Sequence, residues 1–239
     1  MDSKQIVIVV EDIDPETILL IKQLNQDKAT STIFAFTDGS AMLNGKPGAR
    51  AAFAAMYTNH CKMTIARGEI YPYEYEFINV ANLKCGIKAI HHKPCNPSNN
   101  RGELLGMIYA LLNLLSLVST KEPTKEPTKE PTKEPTKEPT KDYEIISDSL
   151  IVLMTLREWL PNRIKKGTER ELLNFDLVMI AWKLLNLLRE HSTNVVLTHV
   201  RSHQKKPPAS ASAHIKLLYW GNEMVDKYAA LPLKIRNVQ

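Results

Sequence analysis

A chain of 239 residues with a hydrophobic share of 44% can fill one sizeable core, which excludes a disordered or fibrous protein. Its net charge of +5 and isoelectric point near 9.0 permit a polyanionic partner without demanding one. Cys61, Cys85 and Cys95 form no CxxC pair and are odd in number, which argues against a disulfide scaffold and for a reduced, intracellular setting.

Only five apolar residues, Ile6 to Val10, precede the acidic EDIDPE, so no secretory signal is expected. They read as a short strand, followed by a helix opening at Asp14-Pro15, since Pro is favourable at a first helical position. STIFAFTDGS is a strand running into a polar turn at Asp38-Gly39. GARAAFAAMYT and MTIARGEIYPYEYEFINV are further strands, rich in aromatic and β-branched residues. After the Pro/Asn-rich loop HHKPCNPSNN comes a helix from about Arg101 to Ser119, with Leu104, Leu105, Ile108, Leu111, Leu112 and Leu115 at helical spacing. Its apolar run, Leu104 to Val118, has 15 residues and falls short of the ~20 that cross a bilayer, so no membrane span is expected.

Residues Lys121 to Lys141 are five copies of KEPT and a closing Lys. The unit is neutral and offers nothing to a core, so a solvated, partly polyproline-like loop is expected. Beyond it, YEIISDS is a strand ending at an acid, with a helix from Leu150 to Leu160. A basic turn, NRIKKGTER, leads to a long helix from Glu171 to Glu190. TNVVLTHV is the last core strand, and ALPL closes a short final helix. This order predicts a mixed sheet covered by helices.

Four acids stand out by position. Asp38 ends the first core strand, Glu103 opens the helix after SNNR, Asp148 ends the strand after the repeat, and Asp226 lies in GNEMVDKYA. Singly they read as a turn residue, a first-turn acid, a helix N-cap and a solvated helix face. Together they share a logic: acids at the ends of neighbouring strands meet at one sheet edge, and a helix across the sheet can add a third. Converging carboxylates stay ionised only with cations between them. Oxygen ligands suit Mg²⁺ or Mn²⁺, and two such ions can clamp the attacking and leaving oxygens of a phosphodiester. His60, Cys61, Cys85, His91, His92 and Cys95 lack the two-residue spacing of structural zinc sites.

TDGS with Asn44 six positions after Asp38, SNNRGELLG, the SDS after an apolar strand, and THVRSH followed by GNEMVDKYA resemble, in order and context, the type 1 ribonuclease H family over most of residues 31–231. The segment containing GEIYPYEYEF is similar to versions encoded by large DNA viruses. The resemblance implies an α/β protein of ribonuclease H-like fold, a five-stranded mixed sheet with helices on both faces. The domain would occupy residues 31–239, interrupted by the repeat and preceded by an extension at 1–30 that lacks the aromatic and basic pattern of a separate hybrid-binding domain. It further implies endonucleolytic hydrolysis of the RNA strand of RNA–DNA hybrids, leaving 5′-phosphate and 3′-hydroxyl ends. Asp38, Glu103, Asp148 and Asp226 would hold two Mg²⁺ ions, with Mn²⁺ as a substitute.

By the same resemblance, His203 occupies the place of a catalytic loop histidine, whereas His199 falls inside the strand and reads as structural. Asn44, Ser98, Asn99, Asn100 and Asn222 match contacts to the hybrid; Asn carries the donor and acceptor that 2′-OH and base edges require. The implied partner is the hybrid alone, bound by a monomer in the cytoplasm or nucleus, including that of an infected host cell, with no membrane or protein partner. Three departures stand out. Leu150 and Ile151 replace a polar residue after "DS", and the basic handle shrinks to NRIKKGTER, leaving Arg163, Lys165, Lys166 and Arg170 to meet phosphates. The link QKKPPASASAHIKLLYWG between His203 and Asn222 is longer than in the family and is expected to be mobile, with His214 the alternative to His203. A ribonuclease H-fold nuclease for DNA junctions or transposon ends, and a non-catalytic hybrid-binding module, remain the rival readings.

Overall fold

The computed structural model describes residues 7–26, 32–59, 62–70, 97–119, 142–191 and 194–235. Its centre is β2 (Thr32–Met42), buried without interruption from Thr32 to Gly39 because helices cover both of its faces. β3 (Arg50–Asn59) pairs with it antiparallel, β4 (Lys62–Ile70) pairs antiparallel with β3, and β1 (Val7–Asp12) closes that side antiparallel to β4. On the other side β5 (Asp142–Ser147) and β6 (Asn194–His199) run parallel to β2. The spatial order is β1-β4-β3-β2-β5-β6. Six strands are present where five were expected. Val7 to Asp12 pairs residue for residue with Arg67 to Lys62, so the amino-terminal segment adds a strand to the sheet.

α1 (Pro15–Asn25) follows β1, with Asp14 as its N-cap accepting from the Thr17 amide at 2.9 Å and Pro15 at the first turn. It packs on α6 (Ala213–Ile235), and both cover one face of the sheet through Phe34, Phe36, Met56, Ile65, Leu217 and Val225. The opposite face carries α2 (Asn99–Ser119) and, outside it, α5 (Phe175–His191). α3 (Leu150–Met154), a π-helical turn (Thr155–Trp159) and α4 (Leu160–Lys166) lead from β5 to that layer and end at Gly167, whose φ of 68° forms a left-handed cap. By length and composition Asn99–Val118 would pass for a membrane span, yet 72% of that window is buried: it is the core helix of the domain.

Two helices differ from expectation: α4 runs to Lys166 through the first part of the stretch read as a basic turn, and the last helix is longer. The final helix is long because the stretch from Ala213 already belongs to it, so much of the link after His203 is helical. Pro232 sits within its last turns, and Arg50 donates to the Pro232 and Leu233 carbonyls at 3.4 and 3.2 Å, two of the last four carbonyls that a helix end leaves without an intrahelical donor. The KEPT repeat, GEIYPYEYEF after Ile70, and all three cysteines lie outside the described residues. The repeat joins Ser119 to Asp142, and Asp142 pairs with Thr32 at the start of β2. That is the sheet end away from the acids: Asp148 follows the last residue of β5, whereas Asp38 lies inside β2, which continues to Met42 paired with β3 where a turn at Asp38-Gly39 was expected.

Candidate active site

Register brings the first two acids together. Thr37 pairs with Ser147 across the parallel β2–β5 ladder, so Asp38 and Asp148 each stand one residue beyond a paired position. Glu103 reaches them because α2 lies almost in contact with the strands. A Cβ on Gly39 would sit 2.2 Å from the Glu103 amide nitrogen, one on Gly102 2.5 Å from the Ala52 carbonyl oxygen, and one on Gly106 2.9 Å from that of Ala54. Gly102 and Gly106, one helical turn apart, thus form a seam against the alanine-rich β3. Sequence reasoning quoted these glycines within motifs and missed their role; the four-residue spacing opposite an Ala-rich strand was the available signal.

Carboxylate oxygens of Asp38, Glu103 and Asp148 lie within 4.8 Å of one another. Asp226, on α6, approaches from the opposite face; it adds its charge to Asp38 and Asp148 and a side-chain hydrogen bond to Asp38. Burial first, then the charges of Asp148 and Asp226, push Asp38 up to about 8. Burial, then Asp38 and Asp148, holds Glu103 well above the ordinary carboxyl range. Burial also raises Asp148, opposed by its backbone hydrogen bond and by the nearby charges of His203 and His199.

These residues fit a divalent cation. Among the described residues Glu103 Oε2 and Asp148 Oδ1 are buried without a hydrogen-bond partner, and an all-oxygen donor set suits a hard ion such as Mg²⁺ or Mn²⁺. A consequence is testable without substrate. A carboxyl whose folded pKa exceeds its unfolded value holds its proton better in the folded chain. That stabilisation is complete below the unfolded value near 3.8 and is lost as the pH rises toward about 8. Metal-free protein is therefore expected to lose thermal stability between about pH 4 and pH 8. Asp38→Asn should shrink that fall, and Mg²⁺ at the upper end should restore stability. Melting curves in EDTA at stepped pH check this; equal slopes for wild type and variant would refute it.

The other expected residues fall around this cluster. Ser98 caps α2, its hydroxyl accepting from the Arg101 amide at 3.3 Å. Asn99 donates from its side chain to Glu103 Oε1 at 3.3 Å, and its amide donates to Asn44 Oδ1 at 3.3 Å. Asn44 is exposed, Asn100 half-buried, and Asn222 buried on α6, four residues before Asp226. The neighbouring Gly221 makes the approach of α6 to β2 possible: a Cβ there would lie 2.1 Å from the Phe36 ring. Arg101, unassigned by sequence reasoning, is buried and grips Asp176 at 2.8 Å and Asn174 at 3.1 Å, tying the start of α2 to α5.

His203 is exposed, at a left-handed φ of 49°, close enough for its charge to act on Asp148. His199 ends β6 with Nε2 3.2 Å from the Asp148 carbonyl oxygen, so it braces the acid's backbone. His214 is engaged elsewhere, 3.0 and 3.2 Å from the Glu144 carboxylate, which also accepts from Thr198 at 2.7 Å. Leu150 and Ile151 are half exposed beside the site. Lys165, Lys166 and Arg170 are exposed, but Arg163 pairs with Glu171 at 2.8 Å and donates to the Thr168 carbonyl.

A mixed sheet whose central parallel pair ends in carboxylates, with further acids delivered by helices from both faces, defines a metal-dependent α/β nuclease of ribonuclease H-like architecture. Residues 30–232 match the family described as RNase H, and the chain belongs to that family: it is a nuclease of the hydrolase class. Among solved structures, the RNase H domain of prototype foamy virus is 16% identical, with 84% of this chain and 93% of that one covered at a TM-score of 0.50. RNase H1 of the archaeon Halobacterium salinarum is 17% identical, with 84% and 97% covered at 0.40. The amino-terminal RNase H domain of a Mycobacterium tuberculosis protein, fused to maltose-binding protein, is 13% identical, with 86% and 96% covered at 0.46. A search of curated protein sequences found no match.

Proposed function

We propose that this chain cuts the RNA strand of RNA–DNA hybrids internally, leaving 5′-phosphate and 3′-hydroxyl ends, with Asp38, Glu103, Asp148 and Asp226 holding two Mg²⁺ ions. The observation that carries the reading is the set of crowded carboxylates with partnerless buried oxygens on Glu103 and Asp148. Bound there, the ions would supply an activated water and neutralise the charge developing on the phosphate. The chain's own residues do the rest. Asn44, Ser98, Asn99, Asn100 and Asn222 would supply donors and acceptors suited to 2′-hydroxyls and base edges in a wide minor groove. Asn99 also orients Glu103.

An exposed imidazole beside Asp148 can hand a proton to the departing oxygen or the cleaved phosphate. His203→Ala is expected to slow multiple turnover more than single turnover, by about 10- to 100-fold, without abolishing cleavage. A variant as inactive as one lacking an acid, or one matching wild type, would remove His203 from this role. The reading as a whole is tested with labelled RNA–DNA, RNA–RNA and DNA–DNA duplexes, each with Mg²⁺ and with EDTA. Cleavage confined to the RNA of the hybrid with Mg²⁺ supports it, and preferential cutting of DNA refutes it.

A further inference from the structure

The loop from β6 to α6 presents a cation-rich edge to whatever lies over the acids. Residues 191–222 contain no Asp or Glu, and Arg201, His203, Lys205 and Lys206 fall within six positions. All four are exposed, and among the described residues neither Arg201 nor Lys205 takes part in an ion pair. The loop is also held in place, contrary to the mobility expected from its sequence. Lys216 Nζ donates to the Ala209 carbonyl at 2.6 Å, and the Ala211 amide to that of Pro208 at 3.0 Å. Ser212 caps α6, its hydroxyl accepting from the Ile215 amide at 3.3 Å, and His214 is fixed to Glu144. Two prolines, Pro207 and Pro208, further limit the backbone. A rooted loop holds its charges in place before a partner arrives, so little ordering entropy opposes their contact.

We infer that Arg201 and Lys205 bind backbone phosphates of the hybrid just outside the acidic cluster, forming a basic finger that this chain uses in addition to its short basic helix end. The inference rests on the hybrid-cleaving reading. Position selects the partner: the Val200 amide, just before Arg201, donates to the Ser147 carbonyl at 3.1 Å and His199 Nε2 lies 3.2 Å from the Asp148 carbonyl oxygen, so the loop leaves the sheet beside Asp148 and an anion held at its start lies near the cutting point. The track is bounded. Lys206 and Pro207 line the rim of a cleft of about 600 Å³ whose charged lining is Asp14, Glu16 and Glu223 against Lys206 and Lys216, a net negative surface that disfavours a polyanion. About two phosphates therefore fit on the finger.

Counterion release makes this measurable, because each phosphate contact contributes about 0.9 to the slope of log affinity against log salt. Binding is measured by anisotropy with a labelled hybrid and Mg²⁺ in the Asp148→Asn background, where the hybrid is expected to stay intact. Arg201→Ala with Lys205→Ala should flatten the slope by about 2 and weaken binding about tenfold at moderate salt, with an unchanged melting temperature. Lys22→Ala with Lys183→Ala, which removes the same charge from exposed positions on α1 and α5, should leave the slope as it was. An unchanged slope in the finger variant, or an equal change in the control, overturns the inference. A parent protein that binds no hybrid overturns the hybrid reading and the inference together.

Discussion

Asp148→Asn is expected to abolish hybrid cleavage while leaving the fold intact. The side chain leaves β5 one residue past its last paired position, beside Asp38, and its Oδ1 is buried without a hydrogen-bond partner. Among the described residues nothing satisfies that oxygen, which leaves it to meet something brought in. Asn is nearly isosteric but neutral, and a cation held by charge loses much of its attraction. Losing about 4 kcal/mol of charge stabilisation is about a thousandfold in rate. The metal-free variant should melt at or above the wild-type temperature near neutral pH, because a repelling carboxylate has gone from a crowded site. Single-turnover cleavage of labelled hybrid and a Mg²⁺ or Mn²⁺ titration read both effects. Substantial Mg²⁺-dependent activity in the variant would defeat the assignment of Asp148 as a ligand.

Gly39→Ala is expected to be strongly destabilising. The added methyl would lie 2.2 Å from the Glu103 nitrogen, 2.5 Å from the Gly102 carbonyl carbon and 2.9 Å from the Gly102 Cα. All three are backbone atoms of α2, so no rotamer change can relieve the clash. The helix must lift from β2 and β3, opening the core formed by Leu104, Leu105, Ile108 and Phe53 and carrying Glu103 away from Asp38. Overpacking costs about 1–3 kcal/mol where side chains can yield; a backbone-on-backbone contact should exceed that, at about 4 kcal/mol or more. Urea unfolding measures the loss, and cleavage should fall with it even in the fraction that remains folded. A stability within about 1 kcal/mol of wild type would mean that the α2–β2 seam is looser than its geometry says.

Much of this architecture was legible along the chain, since each element reports itself through short-range physics. The Leu and Ile spacing after SNNRG, the Asp-Pro start of α1 and the apolar run of β2 are local patterns that a single helix turn or strand ladder imposes. Glu103 and Asp148 could be singled out for the same reason, standing in the first turns of α2 and just past the end of β5, whereas Asp38 lies inside β2 and Asp226 inside α6, and these two were legible through the TDGS and GNEMVD motifs. Their convergence depends on pairings between residues far apart in the chain, which only the folded molecule decides. The Thr37–Ser147 register aligns Asp38 with Asp148, and the glycine seam sets the depth of Glu103. The strand at Val7–Asp12 looked like part of an appendage because edge pairing with β4 leaves little trace in composition. The loop after His203 looked mobile because Pro, Ala and Ser offer few side-chain anchors. Its fixing points, Lys216 to Ala209 and His214 to Glu144, reach backbone and carboxylate groups that become neighbours only once α6 lies across the sheet.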